Sequence, residues 1–112
     1  MKEIKAYVQK ERVADVIDAL KNSAVWGGVG GDAAHNLAVY LVRGLVAAGA
    51  DQQRRYSTEL GDEVVNEFKL ELICADSEVA EIVRVIGTAA RTGDANAGWI
   101  TVGDLEQAVR IT

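Results

Sequence analysis

The sequence predicts an α+β domain, one antiparallel sheet with two helices on one face, and three observations predict it. Short runs of two-residue alternation mark strands: Ile4, Ala6 and Val8 alternate with Lys5 and Tyr7, and Phe68, Leu70, Leu72 and Cys74 alternate with Lys69 and Glu71. Two further segments space their apolar residues at the period of a helix. No proline occurs anywhere in the chain, which suits strands that pair along their whole length.

Each element follows in order. After the opening strand, Val13, Val16, Ile17 and Leu20 fall on one helical face between Arg12 and Asn22, with Asp15, Asp18 and Lys21 opposite. Ser23 to Asn36 reads as an insertion, and its Gly27-Gly28-Val29-Gly30-Gly31 run is too rich in glycine for a regular element. Leu37, Val39 and Leu41 alternate with Ala38 and Tyr40 as a second strand ending at Arg43-Gly44. Leu45 to Asp62 lacks a clean period, includes Gln52-Gln53-Arg54-Arg55, and reads as a long mobile loop of the kind that usually carries function. Phe68 to Cys74 is the third strand. Asp76-Ser77-Glu78 opens a second helix with acidic residues near its positive end, and Val79, Ile82, Val83 and Ile86 form its buried stripe. Gly87 inside that helix costs about 1 kcal/mol relative to alanine, a cost that close packing on the sheet would explain. The helix ends at Thr92-Gly93, where glycine permits a left-handed exit. Ile100 to Val102 and Gln107 to Ile111 supply two brief closing strands. The order strand–helix–strand–long loop–strand–helix–strand is the ferredoxin-like split βαβ pattern, in a single domain of 112 residues.

Composition narrows the function classes. A hydrophobic content of 49% with only 5% aromatic residues means a core of Val, Ile, Leu and Ala. The net charge of −5 leaves no basic excess to release counterions from nucleic acid or to hold an anionic membrane. A lone cysteine, Cys74, excludes an intramolecular disulfide, suits a reducing compartment and follows the strand alternation as a core residue. The chain opens on strand-like residues with no signal peptide in view, and Leu37 to Ala50 contains Arg43 and is too short to span a bilayer. A cytoplasmic protein is therefore expected. His35 and Cys74 are single residues of their kinds and make no soft-metal set. The glycine run lacks a following Lys-Ser/Thr pair and a strand–loop–helix context, so it reads as a flexible connector. No triad or nucleophile elbow is present, and an enzyme is not expected.

The tail, Ala90-Arg91-Thr92-Gly93 followed by a Gly-bounded loop and closing on Val109-Arg110-Ile111-Thr112, resembles the end of the PII signalling proteins. There a helix ending Ala-(Arg/Gln)-Thr-Gly leads into a nucleotide-cradling B-loop. The resemblance extends to Met1-Lys2-Glu3-Ile4-Lys5-Ala6, to Ala38-Val39-Tyr40-Leu41-Val42-Arg43-Gly44 before the family's long T-loop, and to Phe68-Lys69-Leu70-Glu71-Leu72-Ile73. From Leu37 to Thr112 the chain lies against the family pattern without a gap. The resemblance implies a homotrimer with an adenine nucleotide in each intersubunit cleft. Gly44 matches the glycine at the T-loop base, Glu71 the glutamate of the third strand, and Ile73 the position whose backbone faces the adenine. Ala97 and Gly98 fall in the B-loop, where a glycine N–H faces phosphate, and Arg110 matches the first of two phosphate-holding arginines.

The departures bear on the ligand. The family B-loop reads Gly-Asp-Gly-Lys, and here Asn96-Ala97-Gly98-Trp99 stands in its place. Trp99 thus replaces a lysine, Thr112 replaces the second arginine, and Glu67 replaces a lysine ahead of the third strand. A charge-assisted hydrogen bond is worth roughly 1.5–3 kcal/mol, so losing several disfavours a triphosphate. Arg43, Arg54, Arg55 and Arg91 are the cations available to compensate. Ala48 stands where a T-loop glutamine serves Mg-ATP and 2-oxoglutarate, and Leu60 where a tyrosine is nucleotidylated. Such losses resemble the carbon-related PII-like subgroup found near bicarbonate transporters or carboxysome genes. They imply AMP or ADP, or in that subgroup cyclic AMP, as effector, no required cofactor, bicarbonate as a further effector, and a T-loop partner such as a bicarbonate transporter or carboxysome component. Three readings stay open at single residues: Arg110 grips phosphate or lies exposed on an edge strand, Trp99 stacks on adenine or fills the subunit interface, and Glu71 meets ligand or solvent. The competing functions are a trimeric metal-tolerance or scaffold protein without nucleotide, and an acylphosphatase-type hydrolase supported by fold analogy alone.

Overall fold

The computed structural model describes residues 1–26, 36–94 except 46–53, and 97–112, with backbone alone at 45, 54–57 and 62–65. Five strands and two helices follow in the order β1 (Lys2–Gln9), α1 (Val13–Lys21), β2 (Ala38–Leu45), β3 (Arg54–Ser57), β4 (Asp62–Cys74), α2 (Val79–Ala89) and β5 (Trp99–Asp104). Single 3-10 turns at Ala24–Trp26 and Asp76–Glu78 follow α1 and precede α2. The sheet order is β2-β4-β1-β5, all neighbours antiparallel. This is the split βαβ arrangement: β4 inserts between β1 and β2, and the two helices pack on each other over the sheet.

Register explains which residues meet. Ile4 lies opposite Leu72, and Ala6 opposite Leu70, with Val102 and Ile100 completing the rows on β5. Paired residues of antiparallel strands share a face, so this row set points to the helices. Ile4, Ala6, Val8, Leu70 and Leu72 are buried there against Val16 and Leu20 of α1 and Ile82, Val85 and Ile86 of α2. The apolar stripes expected from the sequence are thus the core, with Val85 added. Cys74 is buried at its margin. Burial, then the nearby Glu78 and Asp76 carboxylates, push its thiol above the ordinary range, which keeps it neutral.

Four expectations change. The segment 45–62 is not all loop: β3 pairs with Asp62–Val65 through a turn in which Gly61 takes φ 70°. Arg54-Arg55-Tyr56-Ser57 shows no alternation, because its pairing partner, Asp62–Val65, lies on β4 beyond the residues that join the core. No strand forms over Gln107–Ile111. β5 already fills the free edge of β1, so the tail has no edge there to join, and Val109 and Ile111 are exposed. α2 ends at Ala89, with the left-handed glycine Gly93 (φ 90°) a few residues on rather than at its cap. Gly87 is not forced by close packing, since a Cβ there would meet only Ile100 Cδ1 at 3.9 Å, an ordinary contact. The glycine run 27–31, His35, Ala48, Gln52-Gln53 and Asn96 lie outside the described residues.

Candidate functional site

The sheet face away from the helices carries the polar residues of the alternation. One cross-strand row reads Trp99, Tyr7, Lys69, Tyr40 from β5 to β2, and the next reads Thr101, Lys5, Glu71, Ala38. Lys69 Nζ lies 4.4 Å from the centre of the Tyr40 ring and 3.1 Å from Glu71 Oε1. The Tyr40 hydroxyl donates to Glu71 Oε2 at 3.1 Å. The Lys69 hydrogen bond, helped by Tyr40, holds the Glu71 carboxyl below the usual carboxylate range against the opposing effect of desolvation. Both Glu71 oxygens therefore have partners within the chain, and the glutamate fixes Lys69 and Tyr40 on this face. Trp99, at the end of the aromatic row, is 76% exposed.

Gly98 precedes it and is set by sterics. A Cβ at this position would lie 1.9 Å from the Tyr7 carbonyl oxygen, far inside contact distance, so only glycine lets the loop backbone seat against β1. Ala97, Gly98 and Trp99 share a cleft of about 140 Å³ with Tyr7 and Arg91. Arg91, one of the cations available to compensate, lines the same cleft.

Gly44 lies near the end of β2, opposite Val65. Its open side is occupied by Glu67, whose Oε1 would stand 2.6 Å from a Cβ there. Burial raises the Glu67 carboxyl above its ordinary value, and among the described residues no cation pairs with it. Arg43, next in the chain, instead donates to Glu59 at 2.9 Å. The side chains of Arg54 and Arg55 are not described.

Ile73 and Arg110 meet at the other end of the sheet. They line a cavity of about 520 Å³ with Trp26, Asn36, Cys74 and Glu78, a volume in the range that holds small ligands. The Ile73 backbone is already engaged: its N–H donates to Asn36 Oδ1 at 3.1 Å, and its carbonyl accepts from Asn36 Nδ2 at 3.0 Å. Trp26 is buried, and among the described residues its indole N–H has no acceptor.

Sequence reasoning missed Asn36, Tyr40 and Lys69 as site residues. Asn36 had only its place at the end of a glycine-rich segment as a signal. Tyr40 and Lys69 follow strand alternation like any solvated residue, and only the register shows that they lie side by side. The seven expected site residues do not converge within one chain. Ala97, Gly98 and Trp99 lie beside Tyr7, whereas Ile73 pairs with Glu3, roughly 13 Å away along β1 at strand rise.

Comparison with known proteins gives this geometry its context. The family model for nitrogen regulatory protein P-II matches residues 1–112, including the 23–36 segment. The chain is 30% identical to the nitrogen regulatory protein P-II of Porphyra purpurea over 111 residues, covering 99% of this chain and 91% of the relative. It is also 30% identical to that of Microchaete diplosiphon, with the same coverage. It is 29% identical to nitrogen regulatory protein P-II 2 of Methanothermobacter thermautotrophicus over 115 residues, covering 99% and 89%. With a split βαβ fold and a family-model match along its whole length, this chain belongs to the P-II family of regulatory proteins.

Proposed function

We propose that this protein is a PII-like regulator, not an enzyme, that binds AMP or ADP in preference to ATP in clefts between the subunits of a homotrimer. The observation that carries this reading is the separation of Ala97, Gly98 and Trp99, beside Tyr7, from Ile73, which lies opposite Glu3 and shares a cavity with Arg110, with Glu71 between them opposite Lys5. A second copy brings the far group within reach of one nucleotide. The exposed apolar residues Trp99, Val109 and Ile111 supply surface for such contacts, and the unpaired alternation of the tail is suited to a neighbouring chain's edge. Gly44, Glu71, Ile73, Ala97, Gly98, Trp99 and Arg110 line the nucleotide in this reading.

The preference for fewer phosphates follows from charge. Glu67 stands against Gly44, so the T-loop base presents a carboxylate where a triphosphate would need a cation. Trp99 and Thr112 remove two more positive charges relative to the family pattern, and Arg43 is taken up by Glu59. Ala48 and Leu60 argue against 2-oxoglutarate sensing and nucleotidylation. They favour a role in inorganic-carbon metabolism, with bicarbonate as a second effector and residues 45–62 contacting a bicarbonate transporter or carboxysome component. Calorimetry tests the core of this reading. AMP or ADP should bind at least as tightly as ATP, without gain from 2-oxoglutarate, and Arg110→Ala should lose about 1.5–3 kcal/mol of binding energy. Tight Mg-ATP binding that depends on 2-oxoglutarate would overturn it.

A further inference from the structure

The β2–β4 register pairs Ala38 with Glu71, and two residues further along it would place Asn36 opposite Ile73. The backbone has left the strand by then, since β2 begins at Ala38. The ladder is continued instead by a side chain. The Asn36 carboxamide gives an acceptor to the Ile73 N–H at 3.1 Å and a donor to the Ile73 carbonyl at 3.0 Å. Both residues form part of the wall of the 520 Å³ cavity that Arg110 also lines.

A carboxamide presents an acceptor and a donor side by side in one plane. The edge of adenine presents the same pair, ring N1 as acceptor and the exocyclic amine as donor. A base seated at Ile73 and the Asn36 side chain therefore need the same two backbone groups. They cannot hold them together, because the N–H has a single proton and the two bonds lie in one plane.

We propose that Asn36 is an internal competitor for the nucleobase: it occupies the Ile73 backbone edge in the empty protein and is displaced when the base binds. This rests on the nucleotide reading above and adds a regulatory step to it. Binding then exchanges two hydrogen bonds for two of the same kind, so the base gains little from them. The exchange has a structural consequence instead, because it frees Asn36, two residues before β2, from its only described hold on β4.

The test compares wild type with Asn36→Ala and with the isosteric Asn36→Asp, which keeps the acceptor and loses the donor. ADP and ribose 5-phosphate, which lacks a base, are titrated into each by calorimetry, with circular dichroism confirming the fold. ADP should bind about tenfold more tightly to Asn36→Ala, equivalent to about 1.4 kcal/mol, and by an intermediate factor to Asn36→Asp. Ribose 5-phosphate should behave alike in wild type and Asn36→Ala, and its change in Asn36→Asp measures the effect of the added charge alone. Unchanged or weakened ADP binding in Asn36→Ala overturns the competition while leaving the nucleotide reading intact. Equal tightening for both ligands overturns it in favour of general loosening of the cavity. No ADP binding to any of the three overturns both readings.

Discussion

The two faces of the sheet are built from the same strands, and they are held by different physics. Toward the helices, Ile4, Ala6, Val8, Leu70 and Leu72 meet Val16, Leu20, Ile82 and Ile86 and lose almost all contact with water. On the far side Tyr40, Lys69 and Glu71 are organised by hydrogen bonds and an ion pair for which water competes. Burial is worth about 25 cal/mol per Å² of apolar surface, whereas an exposed ion pair is worth at most about 1 kcal/mol. The helix face therefore carries the stability of a single chain. The open face and the two ends of the sheet are left for recognition.

Substitutions on the two faces should separate these roles. Leu20→Ala empties a fully buried position and should cost about 2–5 kcal/mol in urea unfolding. Thr101→Ala, exposed on the opposite face, should stay within about 0.5 kcal/mol. Comparable losses at both positions would break the distinction.

Glycines sharpen it next. Gly98→Ala drives a Cβ into the Tyr7 carbonyl and should destabilise by about 1–3 kcal/mol. Gly87→Ala, in a helix where a Cβ would make only an ordinary contact with Ile100 Cδ1 at 3.9 Å, should stabilise by up to about 1 kcal/mol. Both follow from thermal melts. A neutral Gly98→Ala would mean that the loop does not rest on β1 as described.

Much of this division was legible in the residues themselves. One-sided burial imposes a period, so the alternation at 4–8 and 68–74 and the helical stripes located the sheet, the core and the helix-covered face. A period does not say which chain supplies the partner. Val109-Arg110-Ile111 alternates like a strand, yet no strand forms there. Arg54–Ser57 is a strand without any period, because it lies beyond the core that would impose one. The steric demand at Gly98 was not legible, because it comes from the Tyr7 carbonyl of another strand. The grouping of Ile73 with Arg110, and the bonds from Asn36, depend on tertiary register that no local pattern reports.

The smallest expected effects concern the two carboxylates of the open face. Glu67 is held above its ordinary value by burial, so the folded chain keeps this proton to higher pH than the unfolded chain does. Its contribution to stability therefore falls as pH rises from the ordinary glutamate value through the raised one. Glu67→Gln should flatten that decline in urea midpoints measured across mildly acidic pH. Glu71 has the opposite sign: the Lys69 hydrogen bond lowers its value, so its contribution is present at neutral pH and is lost as pH falls below the ordinary value. A Glu67→Gln protein with a steeper decline toward neutral pH than wild type would contradict the assignment.

The account turns on a proposed ligand site that one chain does not bring together, because Ala97, Gly98 and Trp99 lie beside Tyr7 whereas Ile73 lies opposite Glu3. Light scattering on the purified protein at micromolar concentration tests this most directly. A particle of three times the 12.0 kDa chain mass is the predicted result, and a monomer would contradict the account.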